Sequence, residues 1–261
     1  MSQAREAAHC AGELIRTHLG RPAEVRLKSP GNPVTEVDLQ CQAVIAELLL
    51  KRNPEHGFLG EEGDCVRLDQ DYLWIVDPID GTVNFSHGYP FCSVSIALEH
   101  RGEVILGLVY DPTRDETFDA FKGGGARLDG KTIQVSEQSE LVSALLVTGF
   151  AGGTELDHDS FLDFSRQAMG VRRDGSAALD LCYTACGRLD GFWELNLSPW
   201  DVAAGSLIVS EAEGMLSDYS GRKYGIRNKQ LLASNVRLHK QMLDVLAPYA
   251  LAADRLYPPG S

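Results

Sequence analysis

Two aspartates three residues apart, Asp77 and Asp80, leave an apolar run in the stretch Trp74-Ile-Val-Asp-Pro-Ile-Asp-Gly-Thr82. Pro78 between them fixes one φ angle, and Gly81 lets the backbone turn or approach a ligand closely. Hard oxygen ligands on a bent segment suit a small divalent cation such as Mg²⁺. The same residues also suit an ordinary Asp/Pro/Gly turn before a capped helix, so both readings stand on this stretch alone. Two further acidic positions add weight to the chemical one. Gly60-Glu61-Glu62 follows apolar Phe58-Leu59 at the expected end of a strand, and Trp200-Asp201 places an acid in the first turn of a helix. Each has a plainer explanation, in solvated loop acids and in a carboxylate favoured by the helix dipole.

Positioning these groups requires a sizeable fold. The chain has 261 residues and a formal net charge of −13. That length fits one large domain or two intimate halves, with enough buried surface to need neither disulfides nor a structural metal. The acidic balance argues against a nucleic-acid binder that works by counterion release. No apolar run approaches the ~20 residues of a membrane span. The amino terminus reads as an amphipathic helix rather than a signal peptide, because Glu6 and Glu13 interrupt it. A cytoplasmic location follows as the expectation. The six cysteines form no CxxC pair and read as reduced, mostly buried thiols.

Periodicity orders the elements. A helix runs to Gly20-Pro22, and a second carries Val37, Cys41, Val44, Ile45, Leu48 and Leu49 on one face. Thr35 and Asp38 form its capping box, and Asn53-Pro54 closes it. A strand over Tyr72–Val76 then ends in the acidic segment, read as a loop. Cys92 to Leu98 alternates, predicting a strand with one wetter face. Val104–Tyr110 follows, and Asp129-Gly130 marks a hairpin. The second half reads as a strand at Ala144–Thr148 and helices near Ser160–Met169 and Ser176–Cys186. After a strand at Gly191–Leu195 come a helix from Pro199 to Gly214 and a final helix capped by Asn235. Polar residues cluster at 136–143, so the expected halves are 1–138, with the acidic segment, and 139–261. Strand-rich followed by mixed predicts an α+β fold of layered sheets and helices rather than a doubly wound sheet.

Glu61 in its GEE segment, Asp77-Pro-Ile-Asp-Gly-Thr82 and Trp200-Asp-Val-Ala-Ala-Gly205 together resemble the three signatures of the inositol monophosphatase family. Arg172-Arg-Asp-Gly-Ser-Ala-Ala-Leu-Asp180 and Gly191-Phe-Trp-Glu194 look most like its bacterial inositol-1-monophosphatase branch. The match is ordered and runs from Lys28 through Gly214. It implies a layered αβαβα sandwich, of the inositol monophosphatase and fructose-1,6-bisphosphatase type, and a Mg²⁺-dependent, lithium-sensitive phosphomonoesterase. One ion is then expected on Glu61, Asp77 and the Ile79 carbonyl. A second is expected on Asp77, Asp80 and Asp201, and a third, weaker one also leans on Glu61. Four carboxylates and two Mg²⁺ balance in charge. Paired ions of this kind acidify a water and clamp the oxygens of an in-line displacement.

Thr82, paired with Glu61, is the candidate to orient or deprotonate that water, and Asp38 is the expected partner of Thr82. Backbone N–H groups of Gly81 and Thr82 are expected at the phosphate. For the leaving alcohol, the expected contacts are free N–H groups at Gly175, Ser176 and Ala177, together with Glu194, Asp80 and Asp201. Arg172 resembles a substrate contact, although a solvated arginine is the plainer reading. Lys28 is placed on a loop near the metals with an equally good reading as a surface lysine, and His87 is not a catalyst.

The leading expectation is hydrolysis of inositol-1-phosphate or similar polyol monophosphates. The same chemistry on histidinol phosphate, fructose 1,6-bisphosphate, NADP⁺ or 3′-phosphoadenosine 5′-phosphate is the enzymatic alternative. A protein-binding scaffold that contacts the transcription machinery is the non-enzymatic one. The resemblance also implies a homodimer, with neither membrane nor direct nucleic-acid binding. Glu213 departs from the family's usual glycine, which predicts altered packing or an oligomer contact. The segment at 152–159, with Asp157-His158-Asp159, reads as a variable loop at the substrate mouth.

Overall fold

The computed structural model describes residues 1–21, 25–29, 32–63, 65–151 and 153–258. Helix α1 (Ser2–His18) leads into a two-stranded hairpin of β1 (Val25–Ser29) and β2 (Asn32–Thr35), followed by α2 (Glu36–Arg52). The Thr35/Asp38 capping box is formed, and Asn53 caps the other end of α2. Next come β3 (Gly57–Gly60), β4 (Tyr72–Asp80), the short α3 (Thr82–Ser86), β5 (Ser93–His100) and β6 (Glu103–Asp111). Strands β7 (Glu116–Phe121), β8 (Ala126–Leu128) and β9 (Lys131–Thr132) complete a seven-stranded sheet in the order β3-β4-β5-β6-β7-β8-β9. Asp129 and Gly130 turn the β8–β9 hairpin, both with positive φ.

The remaining elements are β10 (Leu145–Thr148), α4 (Glu155–Gln167), β11 (Gly170–Arg172), α5 (Ala177–Ala185) and β12 (Gly191–Leu195). They are followed by α6 (Pro199–Glu211), β13 (Met215–Ser217), β14 (Gln230–Ser234) and α7 (Val236–Leu256). Their strands form a second sheet, ordered β11-β10-β12-β14-β13. Helices α1 and α2 cover one face of the first sheet, α5 and α6 fill the space between the sheets, and α4 and α7 cover the outer face of the second. The fold is therefore α+β with five layers, α-β-α-β-α. Three apolar clusters match its three helical layers. Ala11, Ile45 and Val76 belong to the first, Leu181, Ile208 and Phe192 to the middle one, and Phe164, Trp193 and Met242 to the last. The seven-stranded sheet lies within residues 57–132 and the five-stranded one within 145–234. Helix α6 comes from the later segment yet packs across β4, β5, β6 and β7 of the earlier sheet.

Several expectations are corrected. The acidic segment after Val76 is not a loop, because β4 continues through Asp80. Strand β5 has no wetter face. Its residues Ser93 to Glu99 are all buried, because α1 packs on one side and α6 on the other, where Ser95 Oγ donates to the Trp200 carbonyl at 3.1 Å. Helix α4 begins at Glu155 rather than near Ser160, since Thr154 and Asp157 form a capping box. Asp157, His158 and Asp159 are thus helical, while Gly152 lies outside the described residues. Helix α6 stops at Glu211, three residues before Gly214. Glu213 sits just beyond it, exposed and with left-handed backbone (φ 67°). All six cysteines are free, but Cys10 and Cys65 are exposed.

Candidate active site

The local geometry of β4 decides where its two aspartates point. On a regular strand, residues three apart face opposite sides. Here the pairing shifts, so that Asp77 faces Ser95 of β5 while Asp80 faces Ser93. One extra residue is accommodated on β4, a bulge at the proline that has no N–H to offer the ladder. The bulge returns Asp80 to the side of Asp77. Gly81 then turns the chain with φ 97°. A Cβ there would lie 3.0 Å from the Phe91 carbonyl oxygen and 3.1 Å from that of Gly175, so both conformation and space call for glycine.

The other acids arrive from neighbouring elements. Strand β3 runs parallel to β4 with Gly60 opposite Val76, and the Glu61 N–H donates to the Val76 carbonyl at 3.1 Å. Glu61 therefore leaves the sheet edge beside Asp77. Asp201 is the third residue of α6, where Ser198 N–H donates to its Oδ2 at 2.6 Å. One carboxylate oxygen each from Glu61, Asp77 and Asp201 falls within 4.8 Å of the others.

Burial sets the acidity of the three aspartates, and neighbouring charge adds to it. Burial pushes the Asp77 carboxyl well above its usual range, and the charges of Glu61, Asp80 and Asp201 add to that. Burial raises Asp201 to about 8, with Asp80 contributing. It raises Asp80 only to about 6, because Ser176 and Ala178 donate to this carboxylate. Crowded hard-oxygen donors fit a divalent cation, whose charge offsets the burial and repulsion that raise the aspartates.

Asp80 differs from the other three. Its Oδ2 accepts Ser176 Oγ at 2.5 Å and the Ala178 N–H at 2.8 Å, so it caps α5. Asp80 thus holds the Ser176 hydroxyl and the Ala178 N–H at the start of α5, beside the Gly175–Ala177 segment expected at the alcohol. Asp38 Oδ2 accepts from the Thr35 N–H at 2.8 Å within the cap, and Asp38 Oδ1 accepts from Thr82 Oγ1 at 3.0 Å. Both readings of Asp38 therefore coexist. Thr82 Oγ1 is also 3.0 Å from the Ile79 carbonyl oxygen.

Beside the acids lies a cavity of about 510 Å³, lined by Asp80, Asp201, Glu194, Asp180, Gly175–Ala177 and the 149–151 segment among others. Glu194, on β12, is buried, and its Oε1 accepts the Ala151 N–H at 3.1 Å. A Cβ on Gly149 would stand 2.0 Å from that same oxygen, so the 149–151 turn fits around the carboxylate. Burial lifts the Glu194 carboxyl to about 8 against the opposing Ala151 hydrogen bond.

Arg172 ends β11 and is exposed. Its neighbour Arg173 lines the cavity instead, with its guanidinium 5.5 Å from the centre of the Phe150 ring. Gly149, Phe150, Ala151, Arg173 and Asp180 went unread in the sequence. The doubled arginine before Asp-Gly-Ser was the one local signal for any of them. Gly153 also lines the cavity, whereas the side chain of Lys28 lies outside the described residues. His87 is on the exposed end of α3 and bonds the Val83 carbonyl. A larger groove of about 710 Å³ between α4 and α7 contains none of these acids.

A five-layered α+β sandwich with an acidic cluster opening on a polar cavity is the arrangement of a metal-dependent phosphatase of small phosphate monoesters. A model of the inositol monophosphatase family matches residues 1–253, and the chain belongs to that family. It is 41% identical over 257 residues to a Nus factor SuhB of Pseudomonas aeruginosa, covering 94% of this chain and 95% of that one. It is also 41% identical over 250 residues to an inositol-1-monophosphatase of Synechocystis, with coverage of 94% and 87%. The crystal structure of the extragenic suppressor protein suhB from Bartonella henselae superposes with a TM-score of 0.91 at 38% identity, covering 94% and 97%. No helix among the described residues is long and apolar enough to cross a membrane.

Proposed function

We propose that the protein hydrolyses inositol-1-phosphate or a similar polyol monophosphate with Mg²⁺ held by Glu61, Asp77, Asp80, Asp201 and the Ile79 carbonyl. The observation that supports this most is the convergence of Glu61 and Asp77 on Asp201, which lines the same cavity as Glu194. When bound, such ions supply Lewis-acid stabilisation of phosphoryl charge and lower the pKa of water. The protein's own groups supply position and proton transfer. Thr82, oriented by Asp38 and the Ile79 carbonyl, holds the attacking water, and Glu61 takes its proton. Gly81 and Thr82 offer backbone N–H groups to the phosphate. Glu194, fixed through one oxygen by Ala151, receives hydroxyls of the alcohol, as do Asp80, Asp201 and the Gly175–Ala177 segment. Arg172 is retained as a candidate contact from outside the cavity wall.

The same reading includes inhibition by Li⁺, a homodimer and a cytoplasmic location. It also treats residues 1–138 and 139–261 as halves of one compact unit. The test is phosphate release from inositol-1-phosphate, histidinol phosphate, fructose 1,6-bisphosphate, NADP⁺ and 3′-phosphoadenosine 5′-phosphate, each with Mg²⁺ and with excess EDTA. Inositol-1-phosphate should be favoured and EDTA should abolish turnover. Release that persists in EDTA would sink the metal assignment, and another preferred ester would replace the substrate. A second role at the transcription machinery is supported by the relative named a Nus factor. It predicts that Asp201→Asn, inactive as a phosphatase, still binds transcription elongation complexes.

A further inference from the structure

Four carboxylates line the cavity, and three of them have partners among the described residues. Asp80 accepts from Ser176 and Ala178, Asp201 from Ser198, and Glu194 from Ala151. Asp180 differs. It is 1% exposed and lines the cavity, yet its Oδ1 is buried with no hydrogen-bond partner. Buried acceptors in folded proteins are almost always satisfied, so an orphan inside a binding cavity points to a partner that arrives with the ligand. Attraction to the helix dipole explains an acid in the first turn of α5, but it does not explain leaving that acid's oxygen unpaired. Its charged neighbours give that oxygen no hydrogen bond either. Asp174, Glu194 and Asp80 are like charges, and Arg173, the one cation among the described residues lining this cavity, opposes them only through space, with its guanidinium 5.5 Å from the centre of the Phe150 ring.

We propose that Asp180 is a specificity-determining residue that hydrogen-bonds a hydroxyl of the leaving alcohol. The inference rests on the polyol-phosphate reading above. With Glu194, it gives the cavity two carboxyl groups, on α5 and on β12, for recognising a hydroxyl-rich leaving group. A leaving group without hydroxyls has nothing to offer Asp180.

The experiment compares kcat and KM for inositol-1-phosphate and p-nitrophenyl phosphate, with Mg²⁺, in wild type, Asp180→Leu, Asp180→Ala and Asp180→Asn. The Leu and Ala variants should lose about tenfold or more in kcat/KM on inositol-1-phosphate, mainly through KM, a change typical of losing one hydrogen bond to a charged group. On p-nitrophenyl phosphate they should stay within about twofold of wild type, and Asp180→Asn should recover most of the loss. If Leu does not fold, Ala carries the same test. An equal change on both substrates, or none on inositol-1-phosphate, overturns the assignment of Asp180 alone. Wild type that hydrolyses p-nitrophenyl phosphate but not inositol-1-phosphate overturns the polyol reading and this inference with it.

Discussion

The two walls of the site have similar charge and opposite construction. On the metal side, one oxygen each of Glu61, Asp77 and Asp201 lies within 4.8 Å of the others, and burial, with neighbouring charge added, raises Asp77 and Asp201. On the alcohol side, Glu194 and Asp80 each have backbone N–H donors, and the surrounding turn is shaped to them. The first wall is the one proposed to hold the cation. The second is a mould, already organised around its acids by hydrogen bonds and by the absence of a Cβ at Gly149. Crowded acids therefore mark the wall proposed to react, and acids set by backbone donors, with Asp180 the exception, mark the wall proposed to recognise.

The largest effect should separate the walls outright. Asp201→Asn and Glu61→Gln are expected to lower kcat/KM about 100-fold or more on every ester, since each weakens Lewis-acid stabilisation worth several kcal/mol. Neither should lower the melting temperature of the metal-free protein, because each removes a repelling charge. Steady-state kinetics with thermal melts in EDTA checks both parts, and melting that drops would place these residues among the structural ones.

Gly149→Ala probes the mould. The added Cβ must displace Glu194, at a cost of about 1–3 kcal/mol in stability. It should also lower kcat/KM on inositol-1-phosphate about tenfold while leaving p-nitrophenyl phosphate within about twofold, as expected when a hydrogen bond to a charged group is lost. An equal loss on both substrates would mean the turn supports the metal wall as well.

The smallest effect is on pH dependence. Asp80, at about 6, Asp201, at about 8, and Asp77 all have folded pKa values raised above those of an unfolded chain. Raised carboxyls contribute stability that is complete below the unfolded values and is lost as pH rises through the folded ones. Metal-free protein should therefore melt about 5 °C or more lower at pH 9 than at pH 5. Stabilisation by added Mg²⁺ should grow over the same interval, because the ion binds the deprotonated groups. A metal-free melting temperature flat across that window would break the account of the crowded wall.

The metal wall was legible in the sequence because short segments build it. A strand exit and two capping boxes mark Asp77, Asp201 and Asp38 by their local segments, although the bulge at Pro78 was read as a loop and Asp201 meets Asp77 only across the fold. The helical layers were legible for the same reason. The alcohol wall was not, because its determinants meet across the fold. Ala151 and Glu194 are 43 residues apart, and Ser176 reaches Asp80 from 96 residues away. Residue types alone could not reveal that Asp80 takes the Ser176 hydroxyl and the Ala178 N–H, or that Arg173 rather than its neighbour lines the cavity. The burial of β5 failed for a related reason. Its serines read as a solvent face until α6 is laid across them.

That crossing helix has a consequence for synthesis of the protein. Glu61 and Asp77 leave the ribosome long before Asp201, and α6 must still dock between the sheets to bring Asp201 to them. A nascent chain interrupted before residue 201 lacks one of the proposed ligands, Asp201, and nearly all of the helix that covers β4–β7. On the proposed metal reading, tight ion binding is thus withheld from such partial translation products, and metal occupancy becomes a report that α6 has docked.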